Sequence, residues 1–273
     1  MHTIGKGFVA IVTGGASGLG KAAADFLASQ DATVFVVDLP KSFPNGNKDE
    51  NNVHFRGADI TSEEQITTLI QEIRTKYNRL DCVVNCAGIC SCHVVFDTTT
   101  DKPHSMEDFM KYYQVNVFGT FNVIRLSVAL MRDTQAQQDK KGPGVIITVS
   151  SVTMYDAPAE HVAYSSCKAA VAGMTVPLAR EFSEFGIRVV DIAPGPMLTP
   201  MLLRDGTGFT ARACLKSLIF PVRPGQPEEF ADAVRFIVEN PFINGTTIRL
   251  DGGYRNPMGS KYAYQETSSD NKN

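Results

Sequence analysis

Short apolar runs rich in β-branched residues alternate with helical stretches along almost the whole chain, and this alternation limits the possible folds more than any other feature. Phe8–Thr13, Thr33–Val37, Val53–Phe55, Cys82–Asn85, Val145–Val149, Ile187–Ile192 and Thr246–Leu250 read as strands. Helices are predicted from the first glycines to Ser29, over Thr61–Tyr77, Met106–Met131 and Ala163–Phe185, and from Pro227 to Glu239. Thr61 or Ser62 caps the second of these, with Glu63 and Glu64 in its first turn, and Pro227 suits the first helical position of the last. Strands that are apolar on both faces and separated by helices belong to a parallel sheet covered on both sides. Right-handed crossovers then favour an α/β, doubly wound sheet of about seven strands.

With 273 residues, 43% of them hydrophobic, the chain can fill one core, and residues 1–258 are expected to form a single domain. Cys90–Ser105 reads as a polar loop, Asp133–Gly144 as a second polar insertion, and 259–273 as a polar tail expected to be disordered. Pro196–Phe220 is apolar, proline-bounded and without strand signals, as in a lid over an active site. The net charge is -3, from 26 basic and 29 acidic residues, so charge points to neither a nucleic-acid nor a membrane surface. No apolar run approaches the ~18 residues of a membrane-spanning helix. Met1–Gly7, ahead of the first strand, is expected to be too short for an ordinary signal or transit peptide. Cys82, Cys86, Cys90 and Cys92 crowd into one stretch with His93, but not at metal-finger spacing, so no metal is expected. Cys82 and Cys86 fit one face of a strand as small hydrophobes.

The first strand runs into a turn with glycines at Gly14, Gly15, Gly18 and Gly20. Gly14 suits the tight turn, Gly18 a close approach of backbone to pyrophosphate, and Gly20 close helix–strand packing. The helix N-terminus that follows faces the phosphates, the context in which a Rossmann-type sheet holds a dinucleotide. Asp38 closes the second strand, where a carboxylate accepts hydrogen bonds from ribose hydroxyls and repels a 2′-phosphate. The expected cofactor is therefore NAD; the alternative for Asp38 is a plain turn residue ahead of Pro40. Asp59-Ile60, the run Asn85-Cys86-Ala87-Gly88, and Pro194-Gly195 with Thr199 fall at strand carboxyl ends, where such sheets open their crevice. Each also has the composition of an ordinary turn.

Tyr164 and Lys168 are spaced i, i+4, which places them on one helix face. A free phenol, with a pKa of about 10, is a poor acid–base group at neutral pH. An adjacent ammonium is expected to lower it, leaving Tyr164 able to exchange a proton with a substrate oxygen that Ser151 also binds. Alone, such a pair is equally a solvated helix face; its order after the glycine turn, Asp38, Asn85–Gly88 and Ser151 gives it meaning. Asn116, inside the long helix, reads by itself as an ordinary polar residue.

These pieces, in this order, resemble the short-chain dehydrogenase/reductase family over nearly the whole chain. The resemblance implies a catalytic tetrad of Asn116, Ser151, Tyr164 and Lys168, with Asn116 in a kinked helix holding a water, and Thr199 against the nicotinamide carboxamide. Val9–Gly20, Asp38-Leu39-Pro40, Val84–Ile89, Gly119–Leu126 and Glu239–Gly252 are similar to the branch that acts on 3-hydroxyacyl-CoA thioesters and 17β-hydroxysteroids. From that likeness follow cofactor contacts at Ser17, Leu19, Asp38, Asp59, Ile60, Cys86, Met197 and Thr199, a homotetramer, and a mitochondrial matrix location, with the cytoplasm as alternative. It also implies a scaffold role in mitochondrial tRNA processing beside a tRNA methyltransferase partner. The expected reaction is oxidation of a 3-hydroxyacyl-CoA to a 3-ketoacyl-CoA. Its rivals are a steroid or other secondary alcohol, an NADP-linked ketoacyl reduction that Asp38 disfavours, and the scaffold role alone. In the lid, Met197, Leu202, Leu203, Phe209, Leu215 and Leu218 could enclose an acyl chain, while Arg204, Arg212 and Lys216 either meet CoA phosphates or merely solvate the lid.

Overall fold

The computed structural model describes residues 4–90, 92–138, 142, 144–204, 215 and 217–256. The strands are β1 (Val9–Thr13), β2 (Thr33–Asp38), β3 (Lys48–Glu50), β4 (Val53–Gly57), β5 (Cys82–Asn85), β6 (Phe96–Asp97), β7 (Lys102–Pro103), β8 (Val145–Val149), β9 (Arg188–Pro194) and β10 (Thr246–Leu250). The helices are α1 (Gly18–Ser29), α2 (Glu63–Tyr77), α3 (Met106–Tyr112), α4 (Thr120–Gln137), α5 (Val162–Gly173), α6 (Thr175–Phe182) and α7 (Pro227–Glu239).

The main sheet has the order β10-β9-β8-β5-β1-β2-β4-β3. All of its pairings are parallel except that of the edge strand β3 with β4. The all-parallel expectation is corrected there: Lys48, Asp49 and Glu50 are exposed, so no apolar run announced a strand. From β1 the chain winds outward through β2 and β4, then returns to the other side of β1 at β5 and winds the opposite way. The reversal opens a crevice at the carboxyl ends of β1 and β5.

Strand alternation feeds two cores. Ala10, Val12, Val34 and Val36 pack with Leu27 of α1 and Phe230 and Val234 of α7. Val9, Ile11, Phe35 and Val37 pack with Ile66 of α2, Leu130 of α4 and Leu178 of α6 on the opposite face. Buried Arg188 at the start of β9 donates to the carbonyl oxygens of Ile237, Val238, Asn240 and Ile243, so one guanidinium serves the carboxyl end of α7 and the turn beyond it.

Three boundaries differ from expectation. The helix foreseen over Met106–Met131 runs on to Gln137, so the supposed insertion at Asp133–Gly144 is helical in its first part. Within it, Tyr113–Gly119 is a π-helical turn. The single helix foreseen over Ala163–Phe185 divides into α5 and α6, and ends in a 3-10 turn at Ser183–Phe185. Ser62 caps α2 by accepting from the Gln65 N–H at 3.3 Å. The Cys90–Ser105 loop contains the two-stranded β6–β7 ribbon. Among the described residues, no helix is long and apolar enough to cross a membrane. The 259–273 tail lies outside the described residues.

Candidate active site

The glycine turn closes against the loop after β5. Gly14 has φ +64°, and a Cβ there would stand 2.7 Å from the Ala87 nitrogen. A Cβ on Gly20 would stand 2.3 Å from the Gly14 carbonyl oxygen, so these two positions admit glycine only. Thr13 fastens the same junction: its Oγ1 accepts from the Ala87 N–H at 3.2 Å, and its carbonyl accepts from the Cys86 N–H. Thr199 completes the rim, its side chain 3.3 Å from where a Gly18 Cβ would lie. Ser17, exposed at the N-cap of α1, makes no side-chain capping bond. A bare helix N-terminus, a free hydroxyl and glycine-only backbone together form a cradle that fits a pyrophosphate.

Asp38 turns its carboxylate onto this cradle. One oxygen accepts from the Ala16 N–H at 3.1 Å; the other accepts from the Leu39 N–H and the Ser42 hydroxyl. Asp59 forms a local turn, accepting from the Thr61 N–H and hydroxyl, and Ile60 packs its side chain over Gly119. Met197 is 6% exposed and Leu19 packs on the core cluster Met197 joins. The Ile60 and Met197 side chains are thus both turned into packed surroundings. Gly195 lies against Asp251, and Pro194 ends β9 at the same rim.

Asn116, Ser151, Tyr164 and Lys168 come together below the rim. Asn116 is carried by the π-helical turn and is 1% exposed. Its amide accepts from the Ile89 N–H at 2.8 Å and donates to the Ile89 carbonyl at 3.0 Å and to the Cys167 sulfur at 3.1 Å. Gly88 makes room for it, since a Cβ there would lie 2.9 Å from Asn116 Oδ1 and 3.5 Å from Lys168 Nζ. Ser151 leaves β8 and opens a 3-10 turn, accepting from the Thr153 N–H at 3.2 Å. Its hydroxyl stands beside the Tyr164 phenol, where it works to lower that group's pKa.

The electrostatics correct one expectation. Lys168 Nζ donates to the Val149 carbonyl at 2.7 Å and lies 5.8 Å from the centroid of the Tyr164 ring. The Tyr164 phenol is pushed upward, not downward, by burial and then by the Cys90 thiol, against the Ser151 hydroxyl. Burial lowers the Lys168 ammonium, opposed by Cys167, Asp191, Cys90 and Cys86. Desolvation outweighs the opposing effect of Ser151, so Tyr164 stands protonated at neutral pH.

Around the mouth, Cys92 Sγ stands 3.4 Å from His161 Nε2, and the Arg204 guanidinium donates to the Cys90 carbonyl. Arg204 is exposed, and this contact engages one of its guanidinium nitrogens. Leu218 packs beside Val152 and Tyr254 with Leu215 against them, while Leu203 is 44% exposed. Phe209, Arg212 and Lys216 lie outside the described residues. Two neighbours went unnoticed in the sequence: Cys167, which touches Asn116, and Asp191, an acid inside the apolar strand β9.

A doubly wound sheet whose switch-point cradle sits beside a Ser-Tyr-Lys group defines a dinucleotide-dependent oxidoreductase. The model of the family described as short chain dehydrogenase matches residues 8–207. Over 253 residues the chain is 45% identical to 3-hydroxyacyl-CoA dehydrogenase type-2 of Drosophila melanogaster, covering 92% of this chain and 98% of that protein. Against the Homo sapiens protein of the same name it is 42% identical over 255 residues, 92% and 96% of the two chains. The crystal structure of 3-hydroxyacyl-CoA dehydrogenase type-2 from Mycobacterium avium superposes with a TM-score of 0.81 at 32% identity, covering 92% and 96%. The chain belongs to the short-chain dehydrogenase family, whose members use NAD or NADP.

Proposed function

We propose that the protein interconverts 3-hydroxyacyl-CoA and 3-ketoacyl-CoA with NAD as cofactor. The observation that carries the chemistry is the grouping of Ser151 and Tyr164 with the buried Lys168, whose Nζ sits on the Val149 carbonyl 5.8 Å from the Tyr164 ring centroid. The similarity to relatives of that name supports the substrate. Gly14, Ser17, Gly18, Leu19 and Gly20 would hold the pyrophosphate, Asp38 the adenosine ribose, and Asp59, Ile60 and Cys86–Gly88 the rest of the nucleoside end and the bridge to the tetrad. Pro194, Gly195, Met197 and Thr199 would flank the nicotinamide. Asp38 supports NAD over NADP because its carboxylate already faces the cradle, where a 2′-phosphate would meet like charge.

When bound, the nicotinamide supplies or takes up the hydride at the substrate carbon. Tyr164 gives its proton to the carbonyl oxygen in reduction and takes it back in oxidation. Ser151 donates to the same oxygen and fixes its place. Lys168 holds positive charge close to the phenol, which favours the phenolate that oxidation requires. Asn116 fixes the Ile89 backbone beside Lys168. The likeness further supports a homotetramer, for which the exposed Phe118 and Phe121 on the π-turn and α4 offer apolar surface, and a mitochondrial matrix location. A tRNA methyltransferase partner would require a surface apart from this site.

The test is the loss of NADH absorbance with acetoacetyl-CoA, run beside NADPH and a 17-keto steroid. Faster turnover of the thioester with NADH is expected. Preference for NADPH would overturn the role given to Asp38, and preference for the steroid the substrate.

A further inference from the structure

Asp191 is 0% exposed in the middle of β9, yet nothing in the reaction described above uses it. Its carboxylate is held by polar groups of the neighbouring strands. Its Oδ1 accepts from the Thr148 hydroxyl and the Ser150 N–H, each at 3.0 Å. Its Oδ2 accepts from the Ser150 hydroxyl at 2.5 Å, and Thr247 of β10 hydrogen-bonds it from the other side. The Ser150 N–H also donates to the Ile192 carbonyl at 2.9 Å. The charged group facing it is Lys168, from α5.

Ser150 stands between the two residues that deliver the site. Val149 presents the carbonyl that receives Lys168 Nζ, and Ser151 presents the hydroxyl beside Tyr164. We propose that Asp191 is a positioning residue for the reaction: its carboxylate clamps Ser150, and with it the Val149 carbonyl that receives Lys168 and the Ser151 hydroxyl beside Tyr164. This rests on the reading of Tyr164 and Lys168 given above.

Asp191 also bears on the charge of Lys168. Burial works against its ammonium, and the groups opposing burial are Cys167, Asp191, Cys90 and Cys86. Burial also holds the thiols neutral, pushing Cys86 up to about 12 and Cys90 up to about 11, with Cys167 raised as well. Asp191 is then the one of these four that is anionic at neutral pH. Burial raises it as well, to about 6, against the hydrogen bonds from Ser150, Thr148 and Thr247, so the charge is lost in mild acid.

Two variants separate the clamp from the charge. Asp191→Asn keeps the shape and removes the charge; Ser150→Ala keeps the charge and removes one arm of the clamp. Trace acetylation of Lys168 as a function of pH, read by mass spectrometry, reports its titration without any substrate. In Asp191→Asn that titration is expected to move down by about one pH unit. The kcat for ketone reduction should fall roughly tenfold with KM little changed, and the alkaline limb of the pH profile should move down with the lysine. Ser150→Ala is expected to lower kcat about threefold and leave the Lys168 titration in place. An unmoved Lys168 titration in Asp191→Asn overturns the charge role, and wild-type kcat in Ser150→Ala overturns the clamp. If Asp191→Asn does not fold, Ser150→Ala still decides the clamp, and acid titration of wild-type Lys168 labelling through pH ~6 decides the charge. If neither variant nor the wild type reduces any ketone, the labelling result stands and the reading of the reaction fails alone.

Discussion

The Asn116 side chain pairs with both main-chain groups of Ile89, accepting from its N–H at 2.8 Å and donating to its carbonyl at 3.0 Å. A residue in a helix thereby acts as a short piece of strand for the loop after β5. The π-helical turn makes this possible by turning the Asn116 amide out of the helix register toward that loop. Replacing Asn116 by Ala leaves a half-buried N–H and C=O of Ile89 without their side-chain partner. Stability should fall by about 2 kcal/mol in urea unfolding, and kcat should fall at least roughly tenfold as the wall beside Lys168 loosens. Wild-type values of both would show that the pairing serves neither.

Tyr164 leads to a directional pH dependence. Burial raises its phenol, so at neutral pH it carries the proton that reduction needs and lacks the charge that oxidation needs. Ketone reduction should be at full rate near neutrality and decline on the alkaline side. Alcohol oxidation should climb from neutral pH until Lys168 gives up its proton. Profiles measured in both directions check this, and an oxidation rate falling between pH ~6 and ~8 would contradict it.

Asp191 also marks stability. Its folded-state value stands at about 6 against 3.8, so the native state binds the proton more tightly than the unfolded chain. The contribution is full below the unfolded value and disappears as pH rises through the folded one. Wild type should lose about 3 kcal/mol relative to Asp191→Asn between pH ~4 and ~7. Chemical denaturation at several pH values measures the difference; parallel stability curves would refute the burial argument.

Arg188 is expected to matter for folding alone. Its guanidinium serves four carbonyls at the end of α7, at distances from 2.8 to 3.2 Å. Arg188→Met fills similar space but abandons those acceptors, and should cost about 3 kcal/mol. Unfolding midpoints measure that cost, and the KM for NADH at a permissive temperature should be unchanged. An altered KM with intact stability would be the opposite result.

Much of the fold was legible because apolar runs such as Val145–Val149 and Val9–Thr13 are buried along their whole length. The glycine turn was legible because Gly14 and Gly20 answer to contacts that no side chain could survive. Where the signal failed, the cause is physical. Lys48–Glu50 pairs through backbone at an exposed edge and has no apolar pattern to read. The π-turn costs no change in composition, so Tyr113–Gly119 reads as ordinary helix. The tuning of Tyr164 was misjudged because spacing shows that Lys168 shares its helix face, but not that the ammonium turns to the Val149 carbonyl. Asp191 drew no notice inside an apolar strand, because its partners Thr148, Ser150 and Thr247 come from β8, the residue just after it, and β10.

The central claim is that Tyr164 supports hydride transfer to the 3-keto carbon of an acyl-CoA. Deuterium transfer from 4-deuterated NADH to acetoacetyl-CoA, followed by mass spectrometry of the product, tests it most directly in wild type and Tyr164→Phe. The account predicts label at C3 of 3-hydroxybutyryl-CoA with wild type, and a rate lower by roughly a thousandfold in the variant with NADH binding retained. Label transfer at an undiminished rate in Tyr164→Phe, or none from wild type saturated with NADH, would contradict it.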